Sequence, residues 1–312
     1  MHAIEIKELS KTYPVGFWKK QLRPALQGLS LTVDRGETFG FLGPNGAGKT
    51  TTLKILMGIT FPSAGSATIL GKDFRDPEIK PKIGFLPEQP YFYDYLSAPE
   101  LLNYYAQLSG VSAADRAKRV GPVLERVGLS DTGSKQLRKF SKGMLQRVGI
   151  AQAIIHDPEV VFLDEPMSGL DPLGRHEVRE LIQGLKDQGK TIFFSTHILS
   201  DAEALCDRVA VIHKGELRGV GVVDDFRSSV AEKTEVIWLG ASALAAVRDL
   251  VAEPHTTSDT VRGTVDSSHL DRVLEKLRQQ HARLISVTPI HRTLEDYFLA
   301  RTREEEKESI SS

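Results

Sequence analysis

The residues best suited to chemistry lie in one short stretch, positions 43–50, which reads GPNGAGKT. Its glycines lack the Cβ that would prevent the backbone from curling around a phosphate chain with its N–H groups pointing inward. Lys49 adds a positive charge, and Thr50 adds a hydroxyl suited to bind Mg²⁺ between the β- and γ-phosphates. The spacing predicts a site for a nucleoside triphosphate, formed by Gly43, Pro44, Asn45, Gly46, Ala47, Gly48, Lys49, Thr50 and Thr51.

Two acids form a second candidate group. Asp164 and Glu165 directly follow the apolar run 160–163, which is typical of a buried strand. The carboxyl ends of parallel strands are where such sheets bind ligands. We therefore expect Asp164 to hold Mg²⁺, directly or through water, and Glu165 to polarise an attacking water as a general base.

Two further positions gain significance only from these neighbours. His197 follows the apolar run 191–195 and can hydrogen-bond a γ-phosphate or the attacking water, although a lone histidine after a strand is more often structural. Ser141 opens a helical pattern and is a good N-cap, which explains it without any ligand. The same geometry also creates an anion site at a helix N-terminus, and taken alone the capping interpretation is favoured.

The elements that must position these residues alternate between short apolar strands and helical patterns. Such alternation predicts an α/β fold with a parallel sheet and helices on its faces. The strand patterns cover 3–9, 26–33, 39–42, 67–70, 83–86, 159–163, 191–195 and 209–213, and the helical patterns beyond the glycine loop cover 99–108, 113–127 and 142–155.

The character of the chain changes after residue 221. Strand and helix patterns then alternate over 234–239, 242–251, 260–265, 268–283 and 284–288, which predicts a small α+β domain of ferredoxin-like type. We expect a first domain at 1–222, a linker at 223–230, an accessory domain at 231–302 and a disordered charged tail at 303–312.

Bulk properties exclude several classes of function. The chain of 312 residues has a net charge of −1, so it offers no general basic field for nucleic acid. The single cysteine, Cys206, excludes an internal disulfide and fits a reducing compartment. No apolar run approaches the roughly 18 residues needed to span a bilayer, and the first residues lack the plan of a secretion signal. We therefore expect a cytoplasmic protein.

Together, these motifs resemble those of the ATP-binding subunit of an ABC transporter, over residues 2–222. The resemblance implies a P-loop NTPase with a parallel sheet core, an antiparallel β subdomain and a helical subdomain. It also implies ATP and Mg²⁺ as ligands. In that family, two subunits sandwich two ATP molecules in a head-to-tail dimer, so the expected partner is a second ATP-binding subunit, identical or closely related.

The resemblance also assigns roles residue by residue. Tyr13 matches the aromatic residue that stacks on adenine, and His197 matches the switch histidine. The signature loop, which acts across the dimer, comprises Ser141, Lys142 and Gly143. The inter-site loop, which joins the two ATP sites, comprises Ser168, Gly169, Leu170 and Asp171.

The sequence departs from the family pattern at two places. Lys142 and Met144 stand where the usual signature has glycine and glutamine, which suggests different tuning of signalling from that loop. The glutamine that senses Mg²⁺ follows a strand like 83–86. By strict spacing Glu88 occupies its place and Gln89 lies one residue later, so either residue remains a candidate.

The carboxy-terminal region, including 293–299, resembles the extra domain of drug, copper and polysaccharide exporters with separate membrane subunits. We therefore expect an ATPase that powers an exporter through a separate permease. The permease should contact this chain near residues 88–102, and the chain should lie on the cytoplasmic face of the membrane. An ABC ATPase acting on ribosomes or DNA is the alternative. It is disfavoured because the chain has one module and no long coiled-coil insert. A nucleotide kinase is disfavoured because no acceptor-binding segment is evident.

Overall fold

The computed structural model describes residues 2–15, 21–223 and 233–290. The chain divides into two compact units, Met1–Val223 and Asp224–Ser312. The predicted linker after residue 223, the segment 293–299 and the predicted charged tail at 303–312 lie outside the described residues.

A six-stranded sheet forms the centre of the first unit. Its spatial order is β10-β9-β3-β8-β7-β6, and all neighbouring pairs are parallel except β9 and β10. The central strands are buried on both faces, which explains their nearly continuous apolar sequences. The strands are β3 (Thr38–Leu42), β6 (Ile83–Leu86), β7 (Val160–Asp164), β8 (Thr191–Thr196), β9 (Arg208–His213) and β10 (Glu216–Val222).

A separate antiparallel sheet of four strands, in the order β2-β1-β4-β5, also belongs to this unit. Alternate residues of its long strands, such as Ile4 and Ile6, are buried in the main core with β3. The strands are β1 (His2–Val15), β2 (Gln21–Asp34), β4 (Ala64–Ile69) and β5 (Lys72–Asp73). This sheet is the antiparallel subdomain that the resemblance implies.

The helices of the first unit fall into two groups. Helices α1 (Lys49–Leu56), α5 (Pro172–Asp187) and α6 (Leu199–Leu205) belong to the units that connect the strands of the six-stranded sheet. Helices α2 (Ala98–Leu108), α3 (Ala113–Arg126) and α4 (Lys142–Ile154) share an apolar core of their own and form the helical subdomain. Their observed ends lie within one residue of the predicted ones. Among the described residues, no helix is both long enough and apolar enough to cross a bilayer.

The second unit contains one strand more than the sequence predicts. Its sheet has the order β12-β13-β11-β14, with every neighbouring pair antiparallel, which is the ferredoxin-like arrangement. The elements are β11 (Lys233–Leu239), α7 (Leu244–Val247), β12 (Val251–Thr257), β13 (Thr260–Asp266), α8 (Leu270–Gln279) and β14 (Arg283–Ile290).

Three predictions in this unit are wrong in detail. The helix predicted at 268–283 ends at Gln279, because Arg283 already pairs with β11 as the first residue of β14. The helix predicted at 242–251 is α-helical only at 244–247, between two short 3₁₀ turns. Strand β12 was missed because it is a largely exposed edge strand, so no apolar alternation marks it. It also contains Pro254, which is tolerated at an edge because the missing N–H is not needed for a second neighbour.

Candidate active site

The glycine loop lies between the carboxyl end of β3 and the start of α1. Its backbone follows a path that side chains would obstruct: a Cβ at Gly43 would lie 2.3 Å from the carbonyl oxygen of Ile212 on β9. Gly48, the N-cap of α1, has φ of 115°, which lies in the left-handed region that favours glycine. The loop is thus pressed against the sheet, with the N-terminus of α1 directed at the space above it.

An open pocket of about 220 Å³ lies over this loop. Most of the predicted nucleotide-binding residues line it, while Gly43, Ala47 and Tyr13 are not among the lining residues. The pocket is lined by Ala25, Pro44, Asn45, Gly46, Gly48, Lys49, Thr50, Thr51, Glu88 and Glu165.

Lys49 is almost completely buried within this pocket. Its Nζ donates hydrogen bonds to the carbonyl oxygens of Gly43 and Pro44, at 2.6 and 3.3 Å. The same atom lies 3.1 Å from Oε1 of Glu165, and the two side chains are only 6% and 7% exposed. Since a buried charge requires a partner, the ammonium is held by its own loop and by the neighbouring acid.

Asp164 is the last residue of β7 and directly precedes Glu165, which lines the pocket. Its Oδ1 accepts a hydrogen bond from the hydroxyl of Ser195 at 2.6 Å. Burial raises the pKa of the Asp164 carboxyl, while hydrogen bonds from the hydroxyls of Ser195 and Thr50 act in the opposite direction. A bound cation would favour the ionised form further, and Thr50 and Asp164 are the two predicted Mg²⁺ ligands that the fold brings together.

These two residues fit a Mg²⁺ site of the kind that substrate phosphates complete. No group of three or more His, Cys, Asp or Glu side chains able to hold a metal ion occurs among the described residues. Mg²⁺ commonly uses one or two protein oxygens together with substrate phosphates and water. The donor set of Thr50 and Asp164 therefore suits a metal that arrives with a nucleotide.

Glu165 has an unusual backbone conformation for a non-glycine residue, with φ of 49°. Its N–H donates to the hydroxyl and to the carbonyl oxygen of Ser195, at 3.1 and 3.2 Å. His197 Nδ1 donates to Oε2 of Glu165 at 2.8 Å. Left-handed conformations of this type cost energy and cluster at functional sites, where the surrounding contacts maintain them. The strand end thus turns the Glu165 carboxylate toward the pocket.

Ser195 is a site residue to which the sequence argument assigned no role. Its completely buried hydroxyl contacts Asp164 and Glu165 at once, from the neighbouring strand β8. The sequence feature that could have identified Ser195 is its position directly after the apolar residues 192–194. The predicted strand ends there, at the same edge of the sheet as the strand that precedes Asp164 and Glu165. A buried hydroxyl normally has a hydrogen-bond partner, and here the partners are the two acids.

The structure distinguishes the two candidates for the Mg²⁺-sensing position by location. Glu88 lines the pocket over the glycine loop, and Gln89 is not among the lining residues.

Tyr13 is also outside the lining set. It lies on β1 opposite Arg23 of β2, with the ammonium of Lys11 at 4.9 Å from the centre of its ring. Ala25, two residues after Arg23 on β2, lines the pocket.

The signature loop and the inter-site loop come together in a different pocket, of about 480 Å³. Ser141 caps α4, since its hydroxyl accepts a hydrogen bond from the N–H of Met144 at 3.2 Å. The ammonium of Lys142 lies against Gly169. A Cβ at position 169 would be only 2.0 Å from the Lys142 Nζ. The lining residues are Ser141, Lys142, Gly143, Met144, Arg147, Gly169, Leu170, Asp171, Leu173, Gly174 and Glu177. Among the residues that the structure describes, none lines both this pocket and the glycine-loop pocket.

Comparisons with known proteins agree with this architecture. The family model described as ABC transporter matches residues 26–168. An ABC transporter ATP-binding protein of Synechocystis is 47% identical over 305 residues, covering 97% of this chain and 85% of the relative. The linearmycin resistance ATP-binding protein LnrL of Bacillus subtilis is 32% identical, over 89% of this chain and 93% of its own length.

A solved structure extends the comparison to three dimensions. The ATP-binding cassette MJ0796, in a dimeric post-hydrolysis state with ADP and Pi bound, is 26% identical to this chain. The superposition has a TM-score of 0.64 and covers 70% of this chain and 98% of the other.

Fold and site together define a P-loop ATPase with the architecture of an ATP-binding cassette. The chain belongs to the family of ABC transporter ATP-binding subunits, as the sequence resemblance predicted. It is therefore an ATPase whose fold combines a largely parallel central sheet with an antiparallel sheet and a helical subdomain.

Proposed function

We propose that two copies of this chain, or this chain and a close relative, bind two ATP molecules with Mg²⁺ in a head-to-tail dimer. The observation that carries the proposal is the separation of the glycine-loop pocket from the signature-loop pocket, which have no lining residue in common. Each pocket holds one half of the expected ATP-binding set, so a second subunit is needed to complete a site. The dimeric state of the solved relative that holds ADP and Pi supports this arrangement.

In this proposal, the glycine loop and the N-terminus of α1 bind the phosphates, and Lys49 exchanges its carbonyl partners for phosphate oxygens. Thr50 and Asp164 would hold Mg²⁺, which would supply positive charge against the phosphates. Glu165 accepts a proton from the attacking water. His197 orients the Glu165 carboxylate through their 2.8 Å hydrogen bond.

The remaining predicted residues are assigned by their positions. Glu88, which lines the pocket, takes the Mg²⁺-sensing role in preference to Gln89. Tyr13 stacks on the adenine from the antiparallel sheet, beyond the phosphate end of the site. Ser141, Lys142 and Gly143 contact the γ-phosphate held by the other subunit, and residues 168–171 connect the two sites.

Replacement of the proposed general base tests the hydrolysis step. Glu165→Gln removes the proton acceptor but keeps the size of the side chain, so we expect ATP binding to persist while hydrolysis falls by roughly 10² to 10⁴. Steady-state release of phosphate from MgATP and equilibrium binding of ATP are the two measurements. Glu125→Gln, at an exposed position on α3, is the matched control and should hydrolyse ATP normally. Near-normal turnover by Glu165→Gln would remove this residue from the role.

We further propose that hydrolysis drives a separate membrane permease of the exporter type, with this subunit held at the cytoplasmic face of the membrane. The supporting surface is a group of tyrosines just beyond Glu88. Tyr91 is 97% exposed, and Tyr93 contacts both Tyr95 and Tyr104 with ring centres 5.9 Å apart. Exposed aromatic patches of this kind mark protein interfaces. The name of the linearmycin resistance relative favours export, and the second unit is then an accessory domain.

Capture of the permease tests this second proposal. The chain should copurify from membranes with a multi-span protein encoded next to it, and the double variant Tyr91→Ser, Tyr104→Ser should capture much less of it while its own ATPase activity is retained. The matched control is Leu22→Ser on β2, whose side chain is 73% exposed. Copurification with ribosomes in place of a membrane protein would favour the alternative function.

A further inference from the structure

Asp201 is a fully buried acid in the first turn of α6, four residues after His197. Its Oδ2 accepts a hydrogen bond from Nη2 of Arg175 at 2.6 Å, and its Oδ1 accepts one from Nη2 of Arg179 at 3.2 Å. The carboxylate is 1% exposed, whereas the two arginine side chains are 25% and 35% exposed. Since an ionised group at this depth requires partners, both arginines are needed to keep Asp201 in place.

The two arginines connect Asp201 to the inter-site loop. They are four residues apart on one face of α5. Asp171, the last residue of the inter-site loop, caps this helix and accepts the N–H of Arg175 at 2.9 Å through its carbonyl oxygen. At the other end of the loop, the N–H of Ser168 donates to the carbonyl oxygen of Glu165 at 3.0 Å. A displacement of the loop is therefore passed directly to the first turn of α5.

On the other side, Asp201 is connected to His197 through a very short helix. Helix α6 has seven residues and begins at Leu199, two residues after His197. Its later part is held by the buried side chains of Ala202 and Leu205. The carboxylate of Asp201 provides the polar attachment of its first turn, which is the part closest to His197.

We propose that Asp201 is a positioning residue for ATP hydrolysis. Together with Arg175 and Arg179, it transmits the position of the inter-site loop to His197, and thereby sets His197 against Glu165. The inference rests on the proposed function, because the loop is displaced by a partner subunit only in the dimer. The contact between His197 and Glu165, which is 2.8 Å in the single chain, then responds to the position that the partner imposes on the inter-site loop.

The fold provides a matched control for this connection. Lys186, at the other end of α5, pairs with Asp207 just after α6, also at 2.6 Å. Both ion pairs join α5 to the α6 segment, but only the Asp201 pair lies at the end next to His197. The Lys186 pair is more exposed, at 28% and 43%, so it controls for the loss of a link between the two segments, and the double variants with His197 separate positioning from a structural role.

The first experiment compares Asp201→Asn with Lys186→Met in the full chain. Asp201→Asn keeps the shape of the side chain but removes its charge. We expect kcat for MgATP to fall about 10-fold or more, because small misplacements of reacting groups have large effects on rate. The KM for MgATP should change by less than about 2-fold, since the phosphate-binding residues are unaffected. Equal kcat values for Asp201→Asn, Lys186→Met and the unmodified chain would overturn the proposal.

The second experiment asks whether Asp201 acts through His197. If it does, adding Asp201→Asn to His197→Ala should lower kcat by less than about 2-fold beyond the effect of His197→Ala alone. A merely structural role would give the same factor in both backgrounds, and that result would overturn the proposal.

A third comparison applies if Asp201→Asn fails to fold. Arg175→Lys keeps a positive charge near Asp201, and Arg175→Gln does not. The lysine variant should retain more of the kcat than the glutamine variant, and equal values would contradict the proposal.

Failure of the inference can be told apart from failure of the proposed function. An unmodified chain that hydrolyses MgATP, together with unaffected Asp201 variants, overturns the inference alone, whereas an inactive unmodified chain overturns both.

Discussion

At the scale of single residues, the geometry of the site depends on one buried hydroxyl. Ser195 donates to Asp164 at 2.6 Å and accepts the N–H of Glu165 at 3.1 Å. The first contact orients the proposed Mg²⁺ ligand, and the second helps to stabilise the left-handed backbone of the proposed base. A single residue of β8 thus sets the positions of Asp164, the last residue of β7, and of Glu165, the residue after it.

We predict that Ser195→Ala impairs both activity and stability. The substitution leaves a buried carboxylate oxygen and a buried N–H with one partner fewer, which costs about 1 to 3 kcal/mol of folding free energy. ATP hydrolysis should fall about 10-fold or more, because the acids lose their fixed positions. Urea unfolding and phosphate release are the measurements, with the exposed Ser200 of α6 replaced by alanine as the control. A variant that matches the control in both would exclude this role for Ser195.

At the scale of elements, the helix that begins at the signature loop is bound closely to the strand that leads to Glu88. A Cβ at Gly84 of β6 would lie 2.0 Å from the carbonyl oxygen of Ala153 on α4. Just beyond the end of α4, Nε2 of His156 donates to the carbonyl oxygen of Ile83 at 2.9 Å. The signature loop and the end of β6 are therefore attached to the same helix–strand pair.

This contact predicts a pH dependence of stability. Burial lowers the pKa of His156 below its usual value of 6.5, and the hydrogen bond to Ile83 opposes this only in part. Below pH 6.5 the unfolded chain therefore binds a proton at this residue more readily than the folded chain. Stability should be undiminished above pH 6.5 and should fall as the pH falls through that value.

Comparison of His156→Gln with the unmodified chain tests this pH dependence. Glutamine retains a hydrogen-bond donor but does not titrate. Between pH 7.5 and 5.5, the unmodified chain should lose more unfolding free energy than the variant does, as measured by urea denaturation. The control, His176→Gln, changes an exposed residue of α5 and should behave like the unmodified chain. Identical losses in His156→Gln and the unmodified chain would contradict the assignment.

At the scale of the whole molecule, the central feature is the division of the proposed ATP site between two pockets. The glycine-loop pocket holds the phosphate-binding and acidic residues, and the signature-loop pocket holds Ser141 and the inter-site loop. In a symmetric dimer, each site would combine the first pocket of one subunit with the second pocket of the other. Defects in the two pockets should therefore complement each other.

Mixing inactive variants tests this arrangement. Lys49→Ala damages the first pocket and Ser141→Arg the second, so each homodimer should be inactive. After mixing, about a quarter of the unmodified ATPase activity should return, because about half of the dimers are mixed and each of these contains one intact site. Lys49→Ala mixed with Glu165→Gln is the control and should remain inactive, because both changes damage the same pocket. No gain in the first mixture would count against a shared site.

The sequence by itself determined the glycine loop, the strands around it and the family. These features are local, since a loop between one strand and one helix needs only its own residue types to be recognised. The apolar runs of the central strands gave the parallel sheet for a similar reason, because burial on both faces leaves little choice of residue. The order of the motifs along the chain then indicated the resemblance on which the remaining assignments rest.

Only the tertiary structure decided which side chains meet. Ser195 lies about 30 residues from the acids that it contacts, and Asp201 lies 26 residues from Arg175, which is more than one helical pattern can reveal. The placement of Glu88 rather than Gln89 in the pocket, and the exposed edge strand β12, are also of this kind. Hydrogen bonds and ion pairs between separate elements have no sequence period, so they become visible only once the chain is folded.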